Sequence, residues 1–255
     1  LASTRKKGTV HVAHVVQAPE QATAADDRRQ RERIVEESAR QLEDIERLAE
    51  QYDVEFETST IVSYRSFEAV FDRATRTRPD LVLMNWEKDG LWASARAERP
   101  LAELTNRLPS DFLVVKDRGG DSSKVLIPTA GGPASDLSAD IARGLRGAVG
   151  SEITLLHVPD PGEREAGEAS LADWAADHDL DDAARIIDDS GDVEGVIERE
   201  AADHTMVLLG ATEQGILSRL VTDSLHLNVV DDVDSTVLLA ERETDRSLTE
   251  RLFGA

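Results

Sequence analysis

Between Leu208 and Leu225 the chain reads LLGATEQGILSRLVTDSL. An apolar run breaks at Gly210, a loop follows, and Ser224 stands where a hydroxyl would cap the next helix. Turns of this layout hold phosphate. Glycine lets backbone amides approach the phosphate oxygens, and a helix N-terminus contributes about half a positive charge. Glu213 and Asp223 stand where such a turn would want bare backbone. Each adds bulk and charge: two unit charges about 4 Å apart, at an effective dielectric near 20, repel by about 4 kcal/mol before salt screening. The constructive expectation is that Glu213 or Asp223 turns inward and fills the positive helix end, supplying the protein's own anion.

Other chemistry is sparse. The chain contains no G-x4-G-K-[S/T], G-x-G-x-x-G, G-x-S-x-G or H-E-x-x-H pattern. His11 and His14, three apart on an expected strand, fall on opposite faces and cannot form a simple metal pair. His157, at the end of a strand, reads as a structural residue beside a cleft in preference to a catalytic base. The acidic pairs Asp181–Asp182, Asp188–Asp189 and Asp231–Asp232 read as solvated surface, so no metal site is assigned. No nucleophile, base and oxyanion donor can be named together, which gives no support to an enzyme.

Composition narrows the partners. With 51 acidic against 29 basic residues and a net charge of -22, phosphates are repelled, which argues against nucleic acid and anionic membrane surfaces. Lysine is scarce at five residues, and acidic, lysine-poor surfaces resemble those of halophilic proteins, where molar salt screens over about 3 Å. The absence of cysteine excludes disulfides and thiolate ligands and favours a reducing, cytoplasmic setting. No apolar run approaches the roughly 18 residues of a membrane span, and LASTRKKGTV is not a signal peptide.

These residues must be positioned by alternating elements. Short apolar runs alternate with helical stripes along the chain, as in a parallel sheet covered by helices. The expected strands are Thr9–Val16, Val54–Val62, Asp80–Met84, Phe112–Val115, Lys124–Pro128, Glu152–Val158, Arg185–Asp188, Thr205–Leu209 and Ser235–Leu239. Stripes at Ile34, Val35, Ala39, Leu42, Ile45, Leu48 and Tyr52, at Phe67, Val70, Phe71 and Ala74, and at Val193, Val196, Ile197 and Ala201 are read as core contacts. Trp86 and Trp92 are read as packing residues, with service at an interface as the alternative. Leu248, Leu252 and Phe253 mark either a docking helix or a frayed end.

The chain also repeats itself. HVAHVVQAP matches ITLLHVPDP, RPDLVLMNWE matches DHTMVLLGATE, and SDFLVVKDR matches DSTVLLAER. The boundary falls in DRGGDSSK, giving units at residues 1–118 and 122–242 and a tail at 243–255. His157 lies 31 residues after Leu126, whereas only 13 residues precede its counterpart His14. The first copy therefore lacks a first strand and most of a first helix, with LAST as that helix's last turn. The expectation is a native chain extending at least about 20 residues upstream of Leu1.

The second copy resembles a universal stress protein domain, through a first strand ending VLIPTAGG, a second ending LLHV, and the loop from Gly210 to Ser224 in register with the strand STVLLAER. The resemblance covers residues 122–242 and, more weakly, 9–118. It implies an α/β fold of two doubly wound, mainly parallel five-stranded UspA-like (adenine nucleotide alpha hydrolase-like) domains, the first incomplete.

Nucleotide-binding members carry an aspartate after strand one and the loop G-x2-G-x9-G-[S/T]. Here Ala130 stands at the aspartate position, and Glu213 and Asp223 replace two of the three glycines, while Gly210 and Ser224 remain. In the first copy Asn85, Lys88 and Glu98 occupy the three glycine positions, so nucleotide binding is not expected there.

The resemblance extends to the C-terminal cytoplasmic parts of haloarchaeal amino-acid permeases. It implies a non-enzymatic regulatory or scaffolding pair beneath a transporter, without cofactor, forming a homo-oligomer or tandem pseudo-dimer through fifth-strand edges. The alternative is a stand-alone stress protein whose second domain binds ATP or AMP through Pro128, Thr129, Val158, Gly210, Ala211, Thr212 and Ser224.

Overall fold

The computed structural model describes residues 8–17, 24–51, 53–63, 66–86, 108–131, 133–210 and 233–243. Nine strands lie within them: β1 (Thr9–Gln17), β2 (Glu55–Ser63), β3 (Leu81–Asn85), β4 (Asp111–Lys116), β5 (Lys124–Pro128), β6 (Glu152–His157), β7 (Ala184–Ile187), β8 (Met206–Gly210) and β9 (Thr236–Glu241). Each matches an expected strand within two residues at either end. Five helices alternate with them: α1 (Ala24–Gln51), α2 (Ser66–Thr77), α3 (Pro133–Val149), α4 (Arg164–Asp177) and α5 (Val193–Ala201).

Seven strands form one sheet in the order β3-β4-β9-β8-β5-β6-β7, while β1 and β2 pair in a separate two-stranded sheet. All pairings are parallel except one: β4 runs antiparallel to β9, with Val114 opposite Leu239 and Phe112 opposite Glu241. Parallel strands buried on both faces need continuous apolar runs, and β5, β8 and β9 supply VLI, MVL and TVLLA at those positions. The polar loop between β4 and β5 turns at Gly119 and Gly120, where φ is 115° and 67°, conformations open to glycine. The side chains of Asp117 and Asp121 accept from the amides of Gly119 and Ser123, which fixes that turn.

Two cores cover the two faces. On one, Phe67, Phe71 and Ala74 of α2 join Met84, Trp86, Phe112, Leu126, Leu156, Val196, Val207 and Leu239. Phe71 stacks on Phe112 with centroids 5.0 Å apart, and Trp86 is core as expected. On the other, Leu137 and Leu145 of α3 and Leu171 of α4 meet Leu113, Val125, Ile127, Ile153, Leu155 and Leu238. Both cores therefore run without interruption across the β4–β9 seam.

The reading of α1 as a core helix needs correction. It packs on β1 and β2, His14 Nδ1 and Ser38 Oγ lie 2.7 Å apart, and Leu42 is buried. Ile34 is only half-buried, and Val35, Ala39, Ile45 and Leu48 are exposed, Leu48 at 53%. Periodicity marks an apolar face; what lies on that face is a tertiary fact, and here little does. Val193, at the first turn of α5, is likewise exposed, while Val196, Ile197 and Ala201 are buried.

Candidate functional site

β5 is flanked by β6 on one side and β8 on the other, all parallel. The chain leaves β5 toward β6 and returns through α5 to β8, so the strand order reverses beside β5 and a crevice opens at the carboxyl ends. Pro128 and Thr129 close β5, Val158 follows β6, and Gly210 closes β8. The fold thus brings four of the seven predicted binding residues to one edge. Ala211, Thr212 and Ser224 lie outside the described residues, as do Glu213, Asp223, Lys88, Trp92, Glu98, Tyr52, Asp231, Asp232 and the tail from 244.

The mouth of this crevice is tied together by its own polar groups. The Thr129 amide donates to the Leu156 carbonyl at 2.8 Å, carrying the β5–β6 ladder one residue past Pro128. Thr129 is buried, and its hydroxyl accepts from the Gly131 amide at 2.9 Å, closing a small turn. Gly131 has φ 80° and lies beside the Trp174 ring, so the main chain turns there in a left-handed conformation. Ala130, at the tip, is exposed and offers no carboxylate.

His157 completes the tie. Its Nδ1 lies 2.8 Å from the Thr129 carbonyl. A carbonyl only accepts, so Nδ1 carries the proton, which fixes the tautomer of the neutral ring. Gly167 of α4 presses on the same ring: a Cβ there would come within 3.1 Å of His157 Cδ2 and 2.8 Å of Pro159 Cγ. His157 therefore locks the end of β6 to the end of β5.

Behind the mouth, Asp136 on the first turn of α3 lies 3.0 Å from His178 Nε2 and accepts from Trp174 Nε1 at 3.4 Å. This carboxylate is occupied by neighbours in the fold. Of the acidic pairs, Asp188 meets Arg199 at 2.8 Å, Asp182 meets Arg146 at 2.5 Å and Asp189 meets Arg164 at 3.5 Å. Hydrogen bonds from Ser190 and Arg199 hold the Asp188 carboxyl below its ordinary range. His11 Nδ1 pairs with Glu57 at 3.0 Å, whereas His14 reaches Ser38 on α1. Among the described residues no group of three or more His, Cys, Asp or Glu is placed to hold a metal ion, and no helix is long and apolar enough to cross a membrane.

Sequence reasoning missed the seam residues. Arg242 donates to Asp140 at 2.6 Å and to Asp111 at 3.3 Å, and Asp111 accepts from the Glu243 amide at 2.8 Å. Arg143 completes the group through Asp140. Partial burial pushes the Asp140 carboxyl up, but the Arg242 and Arg143 guanidiniums outweigh it and hold it below 3.8. Opposite charges at the ends of β4 and β9 were the available signal, and only their pairing gives it meaning.

No family model and no curated protein matches the chain. Solved structures do. A universal stress protein from Archaeoglobus fulgidus DSM 4304 superposes with a TM-score of 0.66 at 12% identity, over 93% of this chain and 87% of that one. The cytoplasmic domain of a prokaryotic cation chloride cotransporter superposes with a TM-score of 0.55 at 10% identity, over 96% and 89%.

Proposed function

We propose, taking the universal stress protein fold as the premise, that this chain is a non-enzymatic regulatory and scaffolding pair of such units. Its units span residues 1–118 and 122–242, with a tail from 243. In the same reading it is the cytoplasmic C-terminal region of an amino-acid transporter. The observation that carries the reading is the antiparallel pairing of β4 with β9, which joins the fifth strands of the two repeats inside one chain. Two units joined in this way form a pseudo-dimer with both cores continuous across the joint.

Two further observations support it. The crevice at β5 presents Thr129, Ala130 and His157, of which Thr129 and His157 are engaged with the fold, and offers no carboxylate at the exposed tip. A structure of similar shape is the cytoplasmic domain of a cotransporter. The acidic surface fits a setting of high salt, where self-repulsion is screened. The reading frame upstream of Leu1 tests the proposal: about ten or more apolar segments, each near 20 residues, are expected. A start codon close to Leu1 defeats the transporter reading.

The second reading, ATP or AMP bound in the second unit, is favoured by the convergence of Pro128, Thr129, Val158 and Gly210 at one edge. Calorimetry in molar KCl separates the two. The scaffold reading expects no heat with either nucleotide at millimolar concentration; saturable binding in the micromolar range, about -8 kcal/mol, favours the second.

A further inference from the structure

In the second half, the unit β5–α3 sits at the centre: β5 pairs with both β6 and β8, and α3 packs over β5, β6, β8 and β9. The repeat sets β1 opposite β6 and β3 opposite β8. Among the described residues, β1 pairs only with β2 and β3 only with β4, and no strand lies between β1 and β3. α2 spans the interval, packing on β1 and β2 and stacking Phe71 on Phe112 of β4.

Exposure follows the same outline. β6 buries Ile153, Leu155 and Leu156, whereas β1 buries none of residues 9–16 and leaves Val10 40% exposed. β8 buries Met206, Val207 and Leu208; β3 buries Met84 alone and leaves Leu83 63% exposed. Leu83 shares a face with Leu81, which packs at the edge of the α3 core, so Leu83 points to the side that a helix equivalent to α3 would cover. On α1, Val35, Ile45 and Leu48 are bare. Five of the seven exposed large apolar side chains among the described residues therefore lie on β1 and β3, which border the interval, and on α1, which packs on β1.

We propose that the interval between β1 and β3 is a docking slot for a strand–helix unit supplied by polypeptide preceding Leu1. The unit consists of a mainly apolar strand of about five residues, parallel to β1 and β3, followed by an amphipathic helix over Leu83 and the apolar face of α1. β5 begins at Lys124 and β6 at Glu152, a spacing of 28 residues. Counted back from Thr9, that places the strand's start about 20 residues before Leu1. An isolated two-stranded sheet is at best marginal in water, and an open edge invites pairing, so the slot gives β1–β2 a place in a ten-stranded sheet. The inference rests on the repeat and not on the transporter reading, which can fail while the slot stands.

Amide hydrogen exchange tests it, comparing the 255-residue chain with the same chain carrying the roughly 30 residues encoded before Leu1. Amides of β1 and β3 that point away from β2 and β4 are expected to exchange at least about 100-fold more slowly in the longer chain. Leu83→Lys is expected to lower the Tm of the longer chain by several degrees and to leave that of the shorter chain within about 1 °C. Equal exchange in the two chains, an equal effect of Leu83→Lys, or a reading frame too short to encode the unit overturns the proposal. So does a dimer of the 255-residue chain that protects the same amides, which would assign the slot to a second copy.

Discussion

The two halves place similar strands in different company. From β5 to β9 each strand but the terminal β7 has a neighbour on both sides, and β5 holds Val125, Leu126 and Ile127 fully buried at the centre. From β1 to β4 the strands divide into two pairs, and burial is concentrated at the end that meets β9: Phe112, Leu113 and Val114 are buried, while none of residues 9–16 of β1 is. The local patterns of β1 and β6 are alike, both apolar and both followed by a long helix. What separates them is the central strand. A doubly wound sheet is held from its middle, because that strand alone gives the inner strands their second neighbour and lets helices on both faces close over them.

Truncations break or sharpen the contrast, and the largest effect belongs at the joined end. Phe112→Ala removes a fully buried ring stacked on Phe71 and is expected to cost about 3–5 kcal/mol in urea unfolding. Val10→Ala is expected to stay within about 0.5 kcal/mol in this chain. Comparable costs would erase the difference between the halves.

Gly167→Ala probes the lock at the crevice. Alanine ordinarily favours a helix by about 1 kcal/mol over glycine, but here its methyl meets buried Pro159 and the His157 ring. The net expectation is a loss of about 1 kcal/mol, by thermal unfolding. A gain would mean that His157 is held loosely.

A smaller loss than at Phe112 or Gly167 is expected at the seam. Arg242→Ala is expected to cost about 0.5 kcal/mol, since Arg242 and its nearer partner Asp140 are more than a third exposed and solvent screens them. The folded pKa of Asp140 lies below its unfolded value, so its share of stability is present above about pH 3.8 and is lost as pH falls through the depressed value. Acid titration of Asp140→Asn beside the parent chain checks the sign: the two should converge below that range. Persistent separation there would assign the loss to something other than this carboxylate.

Strand positions were legible because apolar runs of four to six residues bounded by Gly, Pro and Asp have few other uses. The crevice was legible in part: order along the chain implies that Thr129, Val158 and Gly210 meet once the sheet is doubly wound. The coverage of α1 was not, since Ile45 and Leu48 carry the same periodicity whether a neighbour lies over them or not. Nor was the Arg242–Asp140–Asp111 group, whose members are 29 to 131 residues apart in pairs and are joined only by the antiparallel register of β4 and β9. His157 was read as structural from its place at a strand end; its grip on the Thr129 carbonyl gives that reading a geometry.

The reversed pairing at the seam gives the molecule a direction. β3 and β4 run against β8 and β9, so the carboxyl ends of the first half's strands open on one rim of the shared sheet and those of the second half on the opposite rim. Whatever docks at one set of loops and whatever docks at the other approach from opposite poles, with a stiff plate between them. The five-residue seam is where these two directions meet.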